Sequence, residues 1–167
     1  VAHVDLVGNV GSIGLIFGTD PVTLTNGVAT TSVVTNTAQT YNVIASTVGN
    51  PAVDGVGPDL TVNPAAPAGA ISATATLNTI TANGTSTTTI TSGVIRDAFS
   101  NQVAEGLTVN VSANLSGVIV AGGAKTIDAT GRISFQLQSS NTVGNCTVTM
   151  TSATGTAAGN IAIAFAD

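Results

Sequence analysis

Apolar and polar residues alternate with a period of two along most of this chain, and that spacing predicts β-strands. In residues 70–167 the alternation recurs in seven blocks at the intervals typical of a β-sandwich. Val109 and Val111 alternate with Asn110 and Ser112, as expected of an antiparallel sheet with one solvated face. The seven predicted strands are ISATATL from Ile71, TSTTTITSGVI from Thr85, LTVNVSA from Leu107, GAKTID from Gly123, RISFQLQ from Arg132, CTVTMTS from Cys146 and NIAIAFA from Asn160.

The first 63 residues carry the same alternation in shorter runs, and helical periodicity is nearly absent throughout. The fold class predicted is therefore all-β. The runs are Val4–Leu6, Val22–Leu24, Ala29–Thr31–Val33, Tyr41–Val43–Ala45 and Leu60–Val62.

An internal repeat relates the two parts of the chain at a shift of 104 to 105 residues. A repeat built from strand patterns predicts β-sandwich domains in tandem. When the first copy is aligned with the second, it begins at about the position of the third strand of the second copy. The first copy is therefore predicted to be incomplete. The landmarks are Gly27 with Gly131, Val33 with Leu137, Tyr41 with Cys146, and Val43 with Val148.

A segment rich in proline and alanine separates the copies, and its prolines cannot donate ladder hydrogen bonds. We therefore predict a partial sandwich over 1–63, an extended linker over 64–69 and a complete sandwich over 70–167. Turns are predicted where a small polar residue precedes glycine, at Asn26-Gly27, Asn83-Gly84 and Thr130-Gly131.

Charge is scarce, and its sign excludes some functions. Only 7% of residues are charged, against about a quarter in ordinary soluble domains. Three Lys and Arg residues against eight Asp and Glu residues give a net charge of −5, so no basic footprint for nucleic acid or an anionic membrane exists. No stretch reaches the ~18 apolar residues of a membrane span. The start at Val1 predicts a processed product or an excerpt.

Within the second copy, the run ANGTSTTTITSGVIRDAFSNQVAEGLTVNVSA resembles bacterial immunoglobulin-like domains of the invasin and intimin type. A small-residue turn leads into a Thr-rich strand, a hydrophobic-x-Asp, a second turn and a Val-alternating strand. The resemblance covers 68–167 and, more weakly, 2–63. The corresponding residues are Ala82-Asn83-Gly84, Thr87 to Ile90, Ile95-Arg96-Asp97, Asn101-Gln102-Val103 and Val109-Asn110-Val111, followed by Gly131 and Ile163-Ala164-Phe165.

The resemblance implies tandem immunoglobulin-like β-sandwiches, the first holding strands C to G only. Two residues depart from the family pattern, Ser100 where glycine is usual and Gln102 where proline is usual. Such domains generally serve as stalk modules of cell-surface adhesins, and similar modules decorate phage particles and extracellular filaments. The expected location is therefore extracellular or at the cell surface.

Three aspartates are candidate calcium ligands: Asp97, Asp54 and Asp59. Calcium takes six to eight oxygens, usually from several carboxylates, and only Glu105 is near Asp97 in the sequence. The structural interpretation is that Asp97 accepts backbone N–H groups of the turn after it, and that Asp54 and Asp59 lie in a solvated hairpin connection. We favour the structural interpretation for all three, and we expect no cofactor.

No catalytic constellation is predicted, so the chain is not expected to be an enzyme. His3, the only histidine, has no matched acid or second metal ligand. Cys146, the only cysteine, is expected to pack inward as a small hydrophobe at the place that Tyr41 occupies in the first copy.

Three functions from different classes fit this pattern. The leading hypothesis is a structural module of an adhesin or filament, whose partners are copies of itself or adjacent repeats. The second is a subunit of a fibre or virion decoration, assembled when another chain adds strands to the incomplete first domain. The third is a glycan-binding module, which the shortage of aromatic residues disfavours.

Overall fold

The computed structural model describes residues 3–8, 16–18, 22–23, 25–26, 28–47 and 54–167, and gives the backbone alone for 3–8, 16–17, 46–47 and 54. Every regular element in those ranges is a β-strand, which confirms the all-β prediction. The chain divides into two compact units, Val1–Asn63 and Pro64–Asp167. We call them unit 1 and unit 2.

Unit 2 is a β-sandwich of one five-stranded and one four-stranded sheet. The first sheet has the order β10-β17-β16-β12-β14, and the second has the order β13-β15-β11-β9. All neighbours are antiparallel except β10 and β17, which are parallel. The strands are β9 (Ala73–Ala75), β10 (Thr79–Thr81), β11 (Thr87–Ser92), β12 (Thr108–Ala113), β13 (Val118–Ile119), β14 (Ala124–Thr126), β15 (Ser134–Gln138), β16 (Gly144–Ser152) and β17 (Ala158–Ala166).

Period-two alternation places one side of the longer strands in a continuous hydrophobic core. Ile90, Leu137, Val148 and Met150 are completely buried, while the residues on either side of each carry Thr or Gln side chains. Gly159 allows the first segment of the unit to approach closely, because a Cβ there would collide with the Ile71 carbonyl oxygen.

All seven strands predicted for unit 2 are present. The sequence missed the short strands β10 and β13, which have three and two residues. A single inward residue, Ile80, anchors β10, so no periodic signal exists to detect. The predicted turn at Asn83-Gly84 is present, and Gly84 takes a φ of +73°.

The segment 64–69, which the sequence suggested as an extended linker, belongs to unit 2 and is hydrogen-bonded to the rest of it. The Ala68 N–H donates to the Arg96 carbonyl at 2.9 Å, and the Thr156 N–H donates to the Pro67 carbonyl at 2.9 Å. The Ala158 N–H donates to the Gly69 carbonyl at 3.1 Å. Proline lacks an N–H but keeps its carbonyl, so Pro67 takes part as an acceptor.

Unit 1 contains a four-stranded sheet of order β3-β1-β6-β7 and the two-stranded pairs β2-β4 and β5-β8. The predicted run at 29–33 contributes only Val33 to a strand, and Asp54 begins β7 instead of lying in a loop. Leu24 and Gly27 fall outside the described residues. The strands are β1 (His3–Gly8), β2 (Ile16–Phe17), β3 (Val22–Thr23), β4 (Val33–Val34), β5 (Thr40–Tyr41), β6 (Val43–Thr47), β7 (Asp54–Val56) and β8 (Leu60–Thr61).

Strands that occupy the same places in the two copies of the repeat are paired in the same way in unit 1 and unit 2. The order β3-β1-β6-β7 corresponds to β14-β12-β16-β17, and the pair β2-β4 corresponds to β13-β15. Among the described strands of unit 1, none takes the places of β9, β10 or β11. The incompleteness of the first domain stays a prediction.

Candidate functional site

Asp97 organises the turn that follows β11, the third strand of unit 2. Its side chain is 5% exposed, and both carboxylate oxygens accept hydrogen bonds. Oδ1 accepts from the backbone N–H groups of Phe99 and Asn101, each at 2.9 Å. Oδ2 accepts from the Ala65 N–H at 3.0 Å and from Asn101 Nδ2 at 2.9 Å. The carboxylate therefore joins the turn to the segment 64–69.

These donors determine the ionisation of Asp97. Burial raises the pKa of the carboxyl, but hydrogen bonds from the Asn101 side chain and from the N–H groups of Ala65, Asn101 and Phe99 outweigh burial and lower the pKa below 3.8. The geometry favours the structural interpretation over a calcium ligand, since all four contacts are with the protein's own N–H groups. The described residues contain no group of three His, Cys, Asp or Glu side chains that could hold a metal ion.

The other two calcium candidates lie in unit 1. Asp59 is exposed, and its Oδ1 accepts a hydrogen bond from Asn42 Nδ2 at 3.2 Å. Asp54 lies in β7, opposite Ser46 of β6, and its side chain is outside the described residues. His3 begins β1, and its side chain is likewise not described.

A second aspartate turn, at Asp128, was missed by the sequence analysis. Its Oδ1 accepts hydrogen bonds from the Thr130 N–H at 2.8 Å, Thr130 Oγ1 at 2.7 Å and the Arg132 N–H at 3.1 Å. The Thr130 side chain and the Arg132 N–H lower the pKa of Asp128. The signal was the Asp two residues before Thr130, an Asx-turn spacing that precedes the predicted Thr130-Gly131 turn.

The three cationic side chains of unit 2 each donate to a backbone carbonyl. Arg96 Nη1 lies 2.6 Å from the Ser100 oxygen, Arg132 Nη1 lies 2.8 Å from the Ser92 oxygen, and Lys125 Nζ lies 2.8 Å from the Val120 oxygen. These residues therefore fix loops and strand ends of the sandwich.

Tyr41 and Cys146, which the repeat aligns, are both completely buried. The Tyr41 hydroxyl donates to the Thr37 carbonyl at 2.9 Å and shares a hydrogen bond of 2.8 Å with Thr35 Oγ1. A tyrosine that reaches back to upstream backbone is a known device of immunoglobulin-like sandwiches. Burial raises the pKa of the Cys146 thiol, and its Sγ contacts the Asn114 oxygen at 3.2 Å. The cysteine is thus a packing residue with little thiolate character.

The first and last segments of unit 2 run parallel and side by side. We call this pairing the terminal-strand seam; it comprises 69–71 and 78–82 on one side and 158–166 on the other. The Ile71 N–H donates to the Ala158 carbonyl at 2.8 Å, and the Ala164 N–H donates to the Asn78 carbonyl at 2.9 Å. The Ala82 N–H donates to the Ala166 carbonyl at 2.7 Å.

Comparisons with solved structures identify the fold. The adhesin FdeC of Escherichia coli is 18% identical, with a TM-score of 0.65 over 100% of this chain and 54% of its own. Invasin, a bacterial integrin-binding protein, is 23% identical, with a TM-score of 0.50 over 100% of this chain and 33% of its own. A family 2 glycosyl hydrolase of Bacteroides cellulosilyticus is 14% identical, with a TM-score of 0.50 over 92% of this chain and 21% of its own.

The chain thus spans about half of FdeC, a third of invasin and a fifth of the hydrolase. It has the immunoglobulin-like β-sandwich fold that these bacterial adhesins share, as the sequence resemblance implied. No protein-family model and no curated protein sequence matches it. The described residues include no helix long and apolar enough to cross a membrane.

Proposed function

We propose that this chain is a structural stalk module of an extracellular bacterial adhesin or filament. It has no catalytic role and transmits tension between its ends. The terminal-strand seam is the observation that carries the proposal, and the shared fold with FdeC supports the adhesin context.

Parallel pairing of the first and last segments has a mechanical consequence. Pulling the two ends of unit 2 apart slides β10 along β17, so the hydrogen bonds of the seam are loaded together. An antiparallel hairpin pulled from its open end would instead lose its bonds one at a time. A module with such a seam resists extension, which is what a stalk requires.

Single-molecule force spectroscopy of the full chain tests this proposal. Handles at residue 64 and Asp167 load the seam in shear, and we expect a discrete high-force unfolding event for unit 2. The matched control moves the first handle to Thr85, which lies beyond the Asn83-Gly84 turn and next to the end of β17, so that the seam unzips. Equal forces in the two geometries would overturn the proposal.

A proline substitution adds a chemical control. Ala82→Pro removes the N–H that donates to Ala166, and it should lower the shear unfolding force. Thr156→Pro removes the N–H that donates to the Pro67 carbonyl, a bond that precedes the seam on both segments. For the same loss of equilibrium stability, we expect Thr156→Pro to lower the unfolding force in shear less than Ala82→Pro does.

A glycan-binding role has less support. Sugar sites commonly use exposed aromatic faces, and in the described side chains Tyr41, Phe135 and Phe165 are buried. Phe99 is 53% exposed, but it lies within the Asp97 turn. If a glycan binds the chain saturably and Phe99→Ala abolishes that binding, glycan binding becomes the better-supported function.

A further inference from the structure

Asn83 is an exposed residue that opens the turn between β10 and β11 of unit 2. Its Oδ1 accepts hydrogen bonds from the Thr85 N–H at 3.0 Å, from Thr85 Oγ1 at 3.1 Å and from the Ser86 N–H at 2.8 Å. Ser139 Oγ lies 3.4 Å from the same oxygen. The carboxamide oxygen of Asn83 is therefore surrounded by donors that the folded turn holds in place.

The residue after Asn83 is glycine, which makes the pair reactive. The backbone nitrogen that follows an asparagine can attack the side-chain Cγ and close a five-membered succinimide ring, and glycine hinders this attack least because it has no Cβ. Gly84 has a φ of +73°, and its N–H donates to the Ser140 carbonyl at the long distance of 3.3 Å. A hydrogen bond of this length holds the Gly84 nitrogen only weakly, so the nucleophile is available.

We propose that Asn83 is a site of spontaneous deamidation, and that the donors around Oδ1 direct the reaction to aspartate instead of isoaspartate. The Gly84 nitrogen loses its proton to hydroxide and bonds to Asn83 Cγ, and the C–NH2 bond breaks with release of ammonia. Water then adds to the same carbon, the bond between Cγ and the Gly84 nitrogen breaks, and that nitrogen regains a proton. The net change converts asparagine and water to aspartate and ammonia.

The donors act in both steps because negative charge develops on the same oxygen each time. Attack at Cγ, first by nitrogen and then by water, converts the carbonyl oxygen to an oxyanion, which fixed N–H and O–H groups stabilise. Opening to isoaspartate requires attack at the main-chain carbonyl carbon of Asn83, whereas the donors of Thr85 and Ser86 are directed at Oδ1. The route to aspartate is therefore the one that the turn favours.

The turn at Asp128 shows that a carboxylate fits this arrangement. Asp128 Oδ1 accepts hydrogen bonds from the N–H and Oγ1 of Thr130, two residues further on, as Asn83 Oδ1 does from Thr85. A carboxylate binds such donors more strongly than an uncharged carboxamide does. The aspartate product should therefore keep the turn.

The identity of the product matters because the turn begins where the terminal-strand seam ends. The Ala82 N–H donates to the Ala166 carbonyl, and Asn83 follows directly. Isoaspartate would lengthen the main chain by one carbon atom at this point and displace the turn from the strand end. Aspartate leaves the main chain unchanged and adds only a negative charge beside the seam.

Peptide mapping by mass spectrometry, after incubation of the full chain at mildly alkaline pH, tests this proposal. An Asn26→Gln background removes the other Asn-Gly pair of the chain. We expect aspartate as the main product at Asn83 in the folded chain, and a larger fraction of isoaspartate in the chain unfolded in urea, where the donors are no longer in place. The same product ratio in both states would overturn the proposal, as would an Asn83 that stays unmodified in the folded chain.

Variants test the role of the donors. Thr85→Val removes the hydroxyl donor and keeps the side-chain shape, and it should slow deamidation at Asn83 about tenfold, since two N–H donors remain. Thr87→Val, at an exposed residue of β11, is the matched control and should leave the rate unaltered. The urea midpoint of unit 2 verifies that both variants fold.

Asn83→Asp places the product in the turn directly. Its urea midpoint at neutral pH should be at least that of the unaltered chain, because the carboxylate accepts the same hydrogen bonds. A lower midpoint in Asn83→Asp, or an unchanged deamidation rate in Thr85→Val, would contradict the proposal.

Discussion

The two units share one strand plan but differ in how they are stabilised. Unit 2 buries Ile90, Leu137, Met150 and Ile163 completely between two sheets. In unit 1 the completely buried apolar side chain is Tyr41, with Val22 at 6%, among the side chains described there. Four of the large apolar residues described in unit 1 are exposed: Val28 65%, Val34 60%, Val56 70% and Leu60 38%.

Charge differs between the units in the same direction. Unit 1 has four acids and no cation, whereas unit 2 has four acids balanced by Arg96, Lys125 and Arg132. Unit 2 can therefore fold on its own core with little self-repulsion. The described side chains of unit 1 include fewer buried apolar residues to offset both its conformational entropy and its uniform charge. The stabilities of the units should thus be measured separately, because one midpoint does not describe two transitions.

The largest predicted effect compares a buried leucine of unit 2, Leu137, with an exposed leucine of unit 1, Leu60. Leu137→Ala should destabilise unit 2 by about 2 to 5 kcal/mol, because it leaves a cavity in a closed core. Leu60→Ala should cost unit 1 below about 1 kcal/mol, because that side chain is already partly in water. Urea titrations can separate the units, since Cys146 thiol reactivity reports unit 2 and the fluorescence of Tyr41, the only tyrosine, reports unit 1.

If Leu137→Ala and Leu60→Ala lower the free energy of unfolding of their units by the same amount, the two units do not differ in how they are stabilised. A loss of several kcal/mol in Leu60→Ala would mean that the face around Leu60 is covered in solution. Val143→Ala, at a residue 52% exposed in unit 2, serves as the control for an exposed apolar side chain. It should change the urea midpoint of unit 2 very little.

The next effect concerns the aspartate turn found in unit 2. Asp97→Ala should destabilise unit 2 by about 3 kcal/mol, because it leaves the N–H groups of Ala65, Phe99 and Asn101 without their acceptor. Asp128→Ala is the control in an exposed turn and should have a smaller effect. Unit 1 should be unaffected by either substitution, as monitored by Tyr41 fluorescence.

Acid titration gives the same turn a second test. The pKa of Asp97 is lower in the folded chain than its ordinary value of 3.8, so its contribution to stability is complete above that value and is lost as the pH falls through the folded pKa. The urea midpoint of unit 2 should therefore fall as the pH is lowered below about 4. Asp97→Asn should reduce this dependence, with the remainder due to Asp128, whose pKa is also lowered. An unchanged dependence in Asp97→Asn would contradict this role.

The sequence predicted most of unit 2 because five of its strands, β11, β12, β15, β16 and β17, have five to nine residues with alternating apolar and polar positions. Val109 and Val111 face inward and Asn110 and Ser112 outward, as the pattern required. The paired carbonyls of the segment 64–69 could not be predicted, because proline and alanine carry no side-chain sign of tertiary hydrogen bonds. In unit 1 the strands have two to six residues, so 29–33 gave a strand signal that only Val33 fulfils. The inward packing predicted for Cys146 is observed, and Tyr41, which the repeat aligns with it, is buried as well.

A smaller effect is expected at the buried tyrosine of unit 1. Tyr41→Phe keeps the ring and removes the hydroxyl, so the Thr37 carbonyl and Thr35 Oγ1 lose their shared partner. The cost should be about 1 kcal/mol. Amide exchange along β6 measures it without tyrosine fluorescence, and β16 of unit 2 provides the internal reference. Faster exchange in β16 as well would show that the substitution acts beyond unit 1.

The smallest effect is a gain in unit 2. Ser100, which stands where the family has glycine, adopts a φ of +69°, a left-handed conformation that costs an L-residue about 1 kcal/mol. Ser100→Gly relieves this strain but gives the unfolded chain more freedom, so the net stabilisation should be about 0.5 kcal/mol. Ala98→Gly, in the same turn without a left-handed φ, gains freedom with no strain to relieve and should destabilise. The urea midpoint of unit 2 is followed by Cys146 thiol reactivity. If Ser100→Gly and Ala98→Gly shift this midpoint in the same direction, backbone strain at Ser100 does not explain the effect of Ser100→Gly.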